Sequence, residues 1–294
     1  MLQDAFLKRI QLQLYPNRKG IYEEICFPLR WHPQNHENPH TFIEKAMGKQ
    51  LNLNVEDKNF SLGINMVVSR VADKILNKFK EEMIADEFRV DQINQRGQPQ
   101  DRGQTPYGVT YRWLWEKKFP RMAWDLAKEV AVPVRDQMEM IPYDQPVPDP
   151  DERVIITRIP KEETLQKGKD YRLKLNLYDT GYLLLINENV NGEKFLISPS
   201  KAYAEIPSCR LTEPLYLPPD DDKHRGPLAF DTEEELFLAI VTDKEVKLSW
   251  INEKYYNEDV SLNEQRLLEI FEKVGKMSDY KAYKRFFWIK AQAD

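Results

Sequence analysis

Three histidines, His32, His36 and His40, stand at H-x3-H-x3-H spacing. On one helix such residues share a face, and three imidazole nitrogens there could hold a zinc ion. Pro33 and Pro39 interrupt any regular helix through them, so a metal site would have to be gathered by a loop, with Glu37 or Cys26 as further ligands. The plainer reading is a polar surface loop. Cys26 and His32 offer a second chemistry, because a thiolate beside an oriented imidazole is an acyl-transfer nucleophile. A cysteine- or metal-dependent hydrolase would draw on Cys26, His32 and His36. No peptidase-type motif flanks Cys26, which lies in the apolar run IYEEICF. We read it as a buried structural cysteine, and Cys209 in IPSCRL likewise.

Two aromatic-basic stretches could bind rather than react. In YGVTYRWLWEKKFPRMAW, residues 107–124, Arg112, Lys117, Lys118 and Arg121 interleave with Trp113, Trp115 and Trp124. Aromatic rings can stack nucleobases while the cations meet phosphates. Against this, Trp113 and Trp115 alternate like the inward face of a strand, and Trp124 fits the buried stripe of a following helix. Near the end of the chain, DYKAYKRFFWIKAQ reads as a helix capped by Ser278. There Tyr280, Tyr283 and Phe287 share a face, with Arg285, Phe286 and Trp288 beside them. That is more aromatic surface than one amphipathic stripe hides, so Tyr280, Tyr283, Arg285, Phe287 and Trp288 form the candidate partner-binding set. Asp220–Asp222 beside His224 could hold a cation, although solvated charge at a turn is commoner. No catalytic residue and no cofactor is assigned. The phosphate-cradling, dinucleotide, nucleophile-elbow and paired-cysteine zinc motifs are all missing from the sequence.

These residues need elements to position them. Leu2, Phe6 and Ile10 recur at helical spacing, and Tyr15-Pro16-Asn17 stops that helix. Thr41 with Glu44 has the form of a capping box for a short helix closed by Gly48. Val67, Val71, Ile75 and Phe79 mark a long helix from about Gly63 to Met83. Residues 91–108 are polar and aperiodic, and Pro120 suits the first position of a helix reaching Val130. Four prolines in 141–151 predict a stiff linker.

From Arg153 the period becomes two. Tyr171, Leu173, Leu175 and Leu177 alternate with polar residues, YLLLI reads as a central strand, and Asn191-Gly192 is a tight-turn signal. Seven or eight short strands at this spacing indicate an antiparallel sandwich or barrel. Ser261 and Glu264 then cap a helix ended by Gly275. The expected fold is α+β in two domains. An α-rich domain (1–140) and a Pro-rich linker (141–152) precede an antiparallel β-sandwich (153–252) with a C-terminal helical appendage (253–294).

A hydrophobic share of 41% and a charged share of 31% belong to a globular chain rather than a disordered one. Net charge is −5. The first 135 residues carry 21 Lys plus Arg against 17 Asp plus Glu, too slight an excess to argue for nucleic acid by itself. The start, MLQDAFLKRIQLQ, lacks a signal-peptide pattern, no apolar run is long enough to span a membrane, and two cysteines exclude a disulfide framework. A cytoplasmic protein is expected.

Residues 168–250 resemble a family of uncharacterised bacterial β-domains. The resemblance rests on Gly181-Tyr182 with LLLIN, Asn191-Gly192, FLISPS with Pro199 and Ser200, LYLP ending at Pro218, and Glu235-Leu236 running into FLAIV. Members look like non-catalytic modules joined to caspase-like peptidases, protein kinases or stress and defence signalling proteins, notably in cyanobacteria. The resemblance therefore implies a regulatory protein-binding module whose effector, a caspase-like peptidase or a kinase, lies on another polypeptide. A second copy of the chain is the other candidate partner, and nucleic acid the less favoured one.

Overall fold

The computed structural model describes residues 2–17, 20–56, 61–88, 105–144, 164–204, 214–219, 226–251, 259–277 and 279–291. Most of the 91–108 stretch, linker residues 145–152, Cys209, the Asp220–Asp222 turn with His224, and Ser278 lie outside them. The chain is a mixture of helices and sheets, and none of its described helices is long and apolar enough to cross a membrane. It divides into two compact units, Met1–Leu126 with Phe271–Ser278, and Ala127–Ile270 with Asp279–Asp294.

The first unit is built from helices. α1 (Leu2–Leu14) buries Leu2, Phe6, Ile10 and Leu14, as its spacing requires. α2 (Ile21–Arg30) carries Pro28 inside it. Proline has no N–H, so the Glu24 carbonyl four residues earlier loses its helical donor. The Gln11 side-chain amide of α1 donates to that carbonyl at 2.6 Å instead, so the orphaned acceptor is satisfied from the neighbouring helix.

α3 (His40–Gln50) follows Pro39 and has no side-chain cap. The expected Thr41–Glu44 capping box does not form, because Glu44 accepts from the Leu62 amide at 2.6 Å, just before the next helix. α4 (Ile64–Ala85) buries Val67, Val71, Ile75, Phe79 and Met83 and kinks at Phe79.

α5 (Pro106–Trp113) opens with Thr105 accepting from the Gly108 amide at 3.1 Å. It runs through a π turn at Leu114–Lys118 into α6 (Phe119–Val130). Pro120 cannot donate to Glu116, and its ring would press on that carbonyl, so the helix widens just before it. Trp113 and Trp115 are therefore helical, not strand residues. Both are buried, with Leu114 between them buried as well, because this helix is surrounded on more than one side. Phe6 meets Trp115 at 5.1 Å and Phe119 at 5.3 Å between ring centroids. α7 (Glu264–Gly275) belongs to the first unit only from Phe271 onward. It starts from Asn263, whose side chain accepts from the Arg266 amide at 2.9 Å, and not from the expected Ser261, which lies in a strand.

The second unit holds two sheets. Its strands are β1 (Val132–Pro133), β2 (Met138–Pro142), β3 (Thr164–Gln166), β4 (Asp170–Leu175), β5 (Tyr182–Asn189) and β6 (Lys194–Ser198), then β7 (Leu215–Leu217), β8 (Leu228–Ala229), β9 (Glu234–Thr242), β10 (Val260–Ser261) and β11 (Tyr280–Lys290). The seven-stranded sheet runs β1-β11-β9-β5-β6-β10 with β3 also on β11; the four-stranded sheet runs β2-β4-β7 with β8 also on β4. The larger sheet is mixed, not purely antiparallel as expected, because β1 and β3 both run parallel to β11, which they reach through long connections and not hairpins. Ile141 and Pro142, expected in the linker, are part of β2. Met138, Leu173 and Leu217 of the smaller sheet join Leu185, Phe237 and Phe287 of the larger one in a single hydrophobic cluster.

The expected C-terminal helix is overturned: residues 280–290 are a strand. β11 pairs antiparallel with β9 from Tyr280↔Thr242 to Trp288↔Glu234. The aromatics that matched a helical stripe at 280, 283 and 287 equally suit a pleated surface, where Tyr, Phe, Trp and Ile pack well. Alternation is plainest at the end of the strand, where Phe287 and Ile289 are buried while Phe286, Trp288 and Lys290 face out.

Leu184 lies in β5 between β9 and β6 and is 1% exposed. Leu184→Ala should cost about 2–5 kcal/mol in chemical denaturation. Lys194→Ala loses an ammonium that pairs with Glu188 at 2.9 Å near the surface and should cost less than about 1 kcal/mol.

Candidate functional site

The histidine segment is organised around a buried arginine. Arg30, in the last turn of α2, is 7% exposed. Its Nη1 donates to the carbonyls of Asn35, His36 and Asn38 at 3.1, 3.3 and 2.9 Å. The Asn35 amide returns to the Leu29 carbonyl at 2.9 Å, and the guanidinium lies 4.2 Å from the Tyr107 ring centroid.

Wrapped this way, the three imidazoles find separate partners. His32 Nδ1 accepts from the Gln34 amide and its Nε2 lies 3.7 Å from Asp4. The His36 ring stacks on Tyr111 at 3.8 Å, with its Nδ1 2.9 Å from the Tyr107 hydroxyl. His40 Nδ1 bonds Asn65 at 2.5 Å. Among the described residues, no three His, Cys, Asp or Glu side chains are grouped so as to hold a metal ion. Burial pulls His32 and His36 below the usual imidazole range, partly opposed by Asp4 and Glu37 respectively.

Cys26 is fully buried, and burial pushes its thiol up to about 12, against a smaller downward pull from Arg30. A nucleophilic cysteine needs the opposite shift, toward the thiolate at neutral pH.

The tryptophans of 107–124 are committed to packing. Trp113 gives its indole N–H to Asp86 at 2.7 Å and Trp115 gives its own to the Trp31 carbonyl at 2.9 Å. Trp124 lies 6.3 Å from Phe271 between ring centroids. Arg112 and Lys117 are exposed, while Lys118 pairs with Glu82 at 2.6 Å and Arg121 with Asp86. Lys118 lies 5.1 Å from the Phe79 ring centroid and 5.9 Å from that of Trp113, but these rings are buried and offer no open face for base stacking.

β11 separates the candidate partner-binding residues by face. Tyr280 and Phe287 are buried. Tyr283 is half-buried with its hydroxyl on Asp179, and half-buried Arg285 lies 5.3 Å from the Phe287 ring centroid. Trp288 is 57% exposed and Phe286 45% exposed, on the face opposite Tyr283, Arg285 and Phe287; Tyr280 shares the face of Phe286 and Trp288 but is covered. Across the sheet Phe286 is level with Leu236 and Glu188, and Trp288 with Glu234. Glu188 is held by Lys128 at 3.0 Å and Lys194 at 2.9 Å. A cleft of about 330 Å³ is lined by Phe286, Leu236, Val190 and Lys128. A second, of about 590 Å³, is lined by Trp288, Thr164, Thr232 and Lys290.

Sequence reasoning missed a polar group on the core-facing side of the same sheet. Glu235, 3% exposed, takes a hydrogen bond from Asn187 Nδ2 at 2.8 Å and lies 2.5 Å from the Thr232 hydroxyl. Its signal was a charged residue in register with apolar ones at the start of EELFLAIVT. No family model matches the chain, and neither the curated proteins nor the solved structures gave a match.

Proposed function

We propose that this chain is a non-catalytic recognition module, an accessory or regulator in bacterial signalling or defence that acts in the cytoplasm by binding another protein. In this reading the two sheets of the second unit form a sandwich serving as a packed scaffold, and the partner is an effector of the caspase-like or kinase kind carried on a separate polypeptide. The resemblance of residues 168–250 to bacterial β-domains supports the setting.

The observation that carries the binding role is the outward face of β11, where Phe286 and Trp288 stand exposed two residues apart, each lining a cleft. Interface energy concentrates on aromatic anchors of this kind, with charged neighbours forming the rim. A hydrolase built on Cys26 is disfavoured by the raised thiol pKa, and base stacking on Trp113 and Trp115 by their burial.

The test is affinity capture from the native host with the full chain as bait, beside a Phe286→Ser/Trp288→Ser variant of matched thermal stability. We expect the wild type to retain a specific host protein, identified by mass spectrometry, that the variant loses. Identical retention by both baits would overturn the assignment of this face.

A further inference from the structure

From the hydrogen bonding around Glu235 we infer a pH-sensitive lock in the seven-stranded sheet: Glu235 is carried as the neutral acid after exposed carboxylates have ionised, and its ionisation loosens the end of the sheet where β9 begins. The position is the first ground. Glu235 projects to the same side of β9 as Phe237, an apolar core residue, and lies level with Phe287 on β11 and Asn189 on β5. A carboxylate there must be compensated by a cation or by several donors, otherwise the neutral form prevails.

Among the described residues, the groups on the packed elements that bond Glu235 are Asn187 and Thr232. On β5, Glu188 points to the other face and is paired with Lys128 and Lys194. On β9, Glu234 alternates to that same other face. On β11, the half-buried Arg285 shares the side of Glu235 but is level with Phe237, with its guanidinium 5.3 Å from the Phe287 ring centroid. Tyr283, further along, has its hydroxyl on Asp179. On β4, Tyr171 has its hydroxyl on the Gln166 amide. Among the described residues, the groups bonded to Glu235 are both neutral.

The connectivity is the second ground. Asn187 Nδ2 donates to Glu235 Oε2 at 2.8 Å and also contacts the Leu236 carbonyl at 3.4 Å. The Thr232 hydroxyl lies 2.5 Å from Glu235 Oε1 and 3.3 Å from the Glu234 carbonyl. Thr232 has one hydroxyl proton for these two acceptors, so it serves the Glu234 carbonyl when Glu235 Oε1 is protonated and itself donates to the Thr232 oxygen. The chain Glu235 Oε1–H to Thr232 to Glu234 C=O then closes with every donor and acceptor used once. With the carboxylate, Thr232 turns its proton to Glu235 and the Glu234 carbonyl loses this donor. Burial independently raises the Glu235 pKa, with the Thr232 and Asn187 contacts opposing it. Thr232 also lines the Trp288 cleft, so loosening at Glu235 reaches that wall.

The sign follows from linkage. A folded pKa raised above the unfolded one makes the native state bind the proton more tightly, so this stabilisation is complete at low pH and lost as pH rises through the folded pKa. Glu235→Gln reproduces the acid, since its amide N–H can donate to Thr232 while its carbonyl accepts from Asn187. Thermal melts of the full chain and of E235Q should coincide at about pH 4 and separate as pH rises, the wild type falling below the variant by about 3 °C or more. Carbon-13 NMR of the wild type should show one glutamate carboxyl titrating above the rest and missing from the E235Q spectrum. A constant difference in Tm across the range, or a Glu235 carboxyl that ionises with the exposed glutamates, would overturn the proposal. The NMR titration decides it if E235Q does not fold.

Discussion

Removing every residue after Gly275 is expected to abolish the cooperative melt of the second unit. The truncation deletes β11, which lies beside β9 in the seven-stranded sheet and pairs with it over nine residues, Tyr280 to Trp288. It also takes away the strand on which β1 and β3 are seated. Phe287 is fully buried and meets Phe237 edge-on at 5.7 Å, and its loss alone should cost about 3–5 kcal/mol. Tyr280 and Ile289 leave the core with it, and the backbone of β9 is left without a partner along one side. Together these exceed the roughly 5–15 kcal/mol that holds a domain folded. The new edge would present Leu236, Leu238 and Ile240 beside unpaired amides, the type of surface that aggregates. Circular dichroism and calorimetry of the 1–275 chain should therefore show no cooperative β transition and a drop in solubility. A retained sharp melt would mean that the β11–β9 pairing is dispensable.

That strand also shows where reading the sequence reached its limit. Regular spacing revealed α1, the long α4, the β5–β6 hairpin and the helix ending at Gly275, because in each a single period dominates; only the start of the last was misplaced, at Ser261 where Asn263 caps it. Asn191-Gly192 is a turn residue pair in fact as well as in form: Gly192 adopts φ 80° and its amide bonds the Asn189 carbonyl at 2.9 Å. β11 failed for a physical reason. Aromatics at 280, 283 and 287 match a helical period, and what decides between helix and strand is the unsatisfied backbone of β9, a partner some forty residues away in sequence that no local window contains.

The 107–118 segment failed in the opposite direction. Alternating tryptophans imitate a strand, yet Thr105 and Pro106 start a helix and burial on several sides hides both rings. For the candidate sites, residue types were legible but their surroundings were not. His32, His36 and His40 were visible as a spacing, while the group that organises them, Arg30, looked like any helix-terminal cation. Glu235 was visible as part of a motif, whereas its partners Asn187 and Thr232 come from a neighbouring strand and a turn.

Arg30→Ala is expected to be the most damaging single change in the histidine segment, at about 3 kcal/mol. One guanidinium nitrogen answers three backbone carbonyls, those of Asn35, His36 and Asn38. A buried carbonyl deprived of its donor costs about 1–3 kcal/mol. The loop can recover part of this by turning toward water, which keeps the total below the sum. The same change removes the cation 4.2 Å from the Tyr107 ring centroid, and the Tyr107 hydroxyl is bound to His36 Nδ1, so the stacking of His36 on Tyr111 should loosen with it. Lysine is not an equivalent replacement. Its compact ammonium lacks the planar guanidinium that both stacks on a ring and directs N–H groups sideways, so Arg30→Lys should recover less than half of the loss. His40→Ala provides the contrast, since His40 bonds Asn65 at an exposed position and should cost less than about 1 kcal/mol. Denaturant titration of the three variants, with hydrogen exchange at residues 35–38 as a local readout, separates these outcomes. Near-equal losses for Arg30→Ala and His40→Ala would show that the segment is held by its own turns and not by the arginine beneath it.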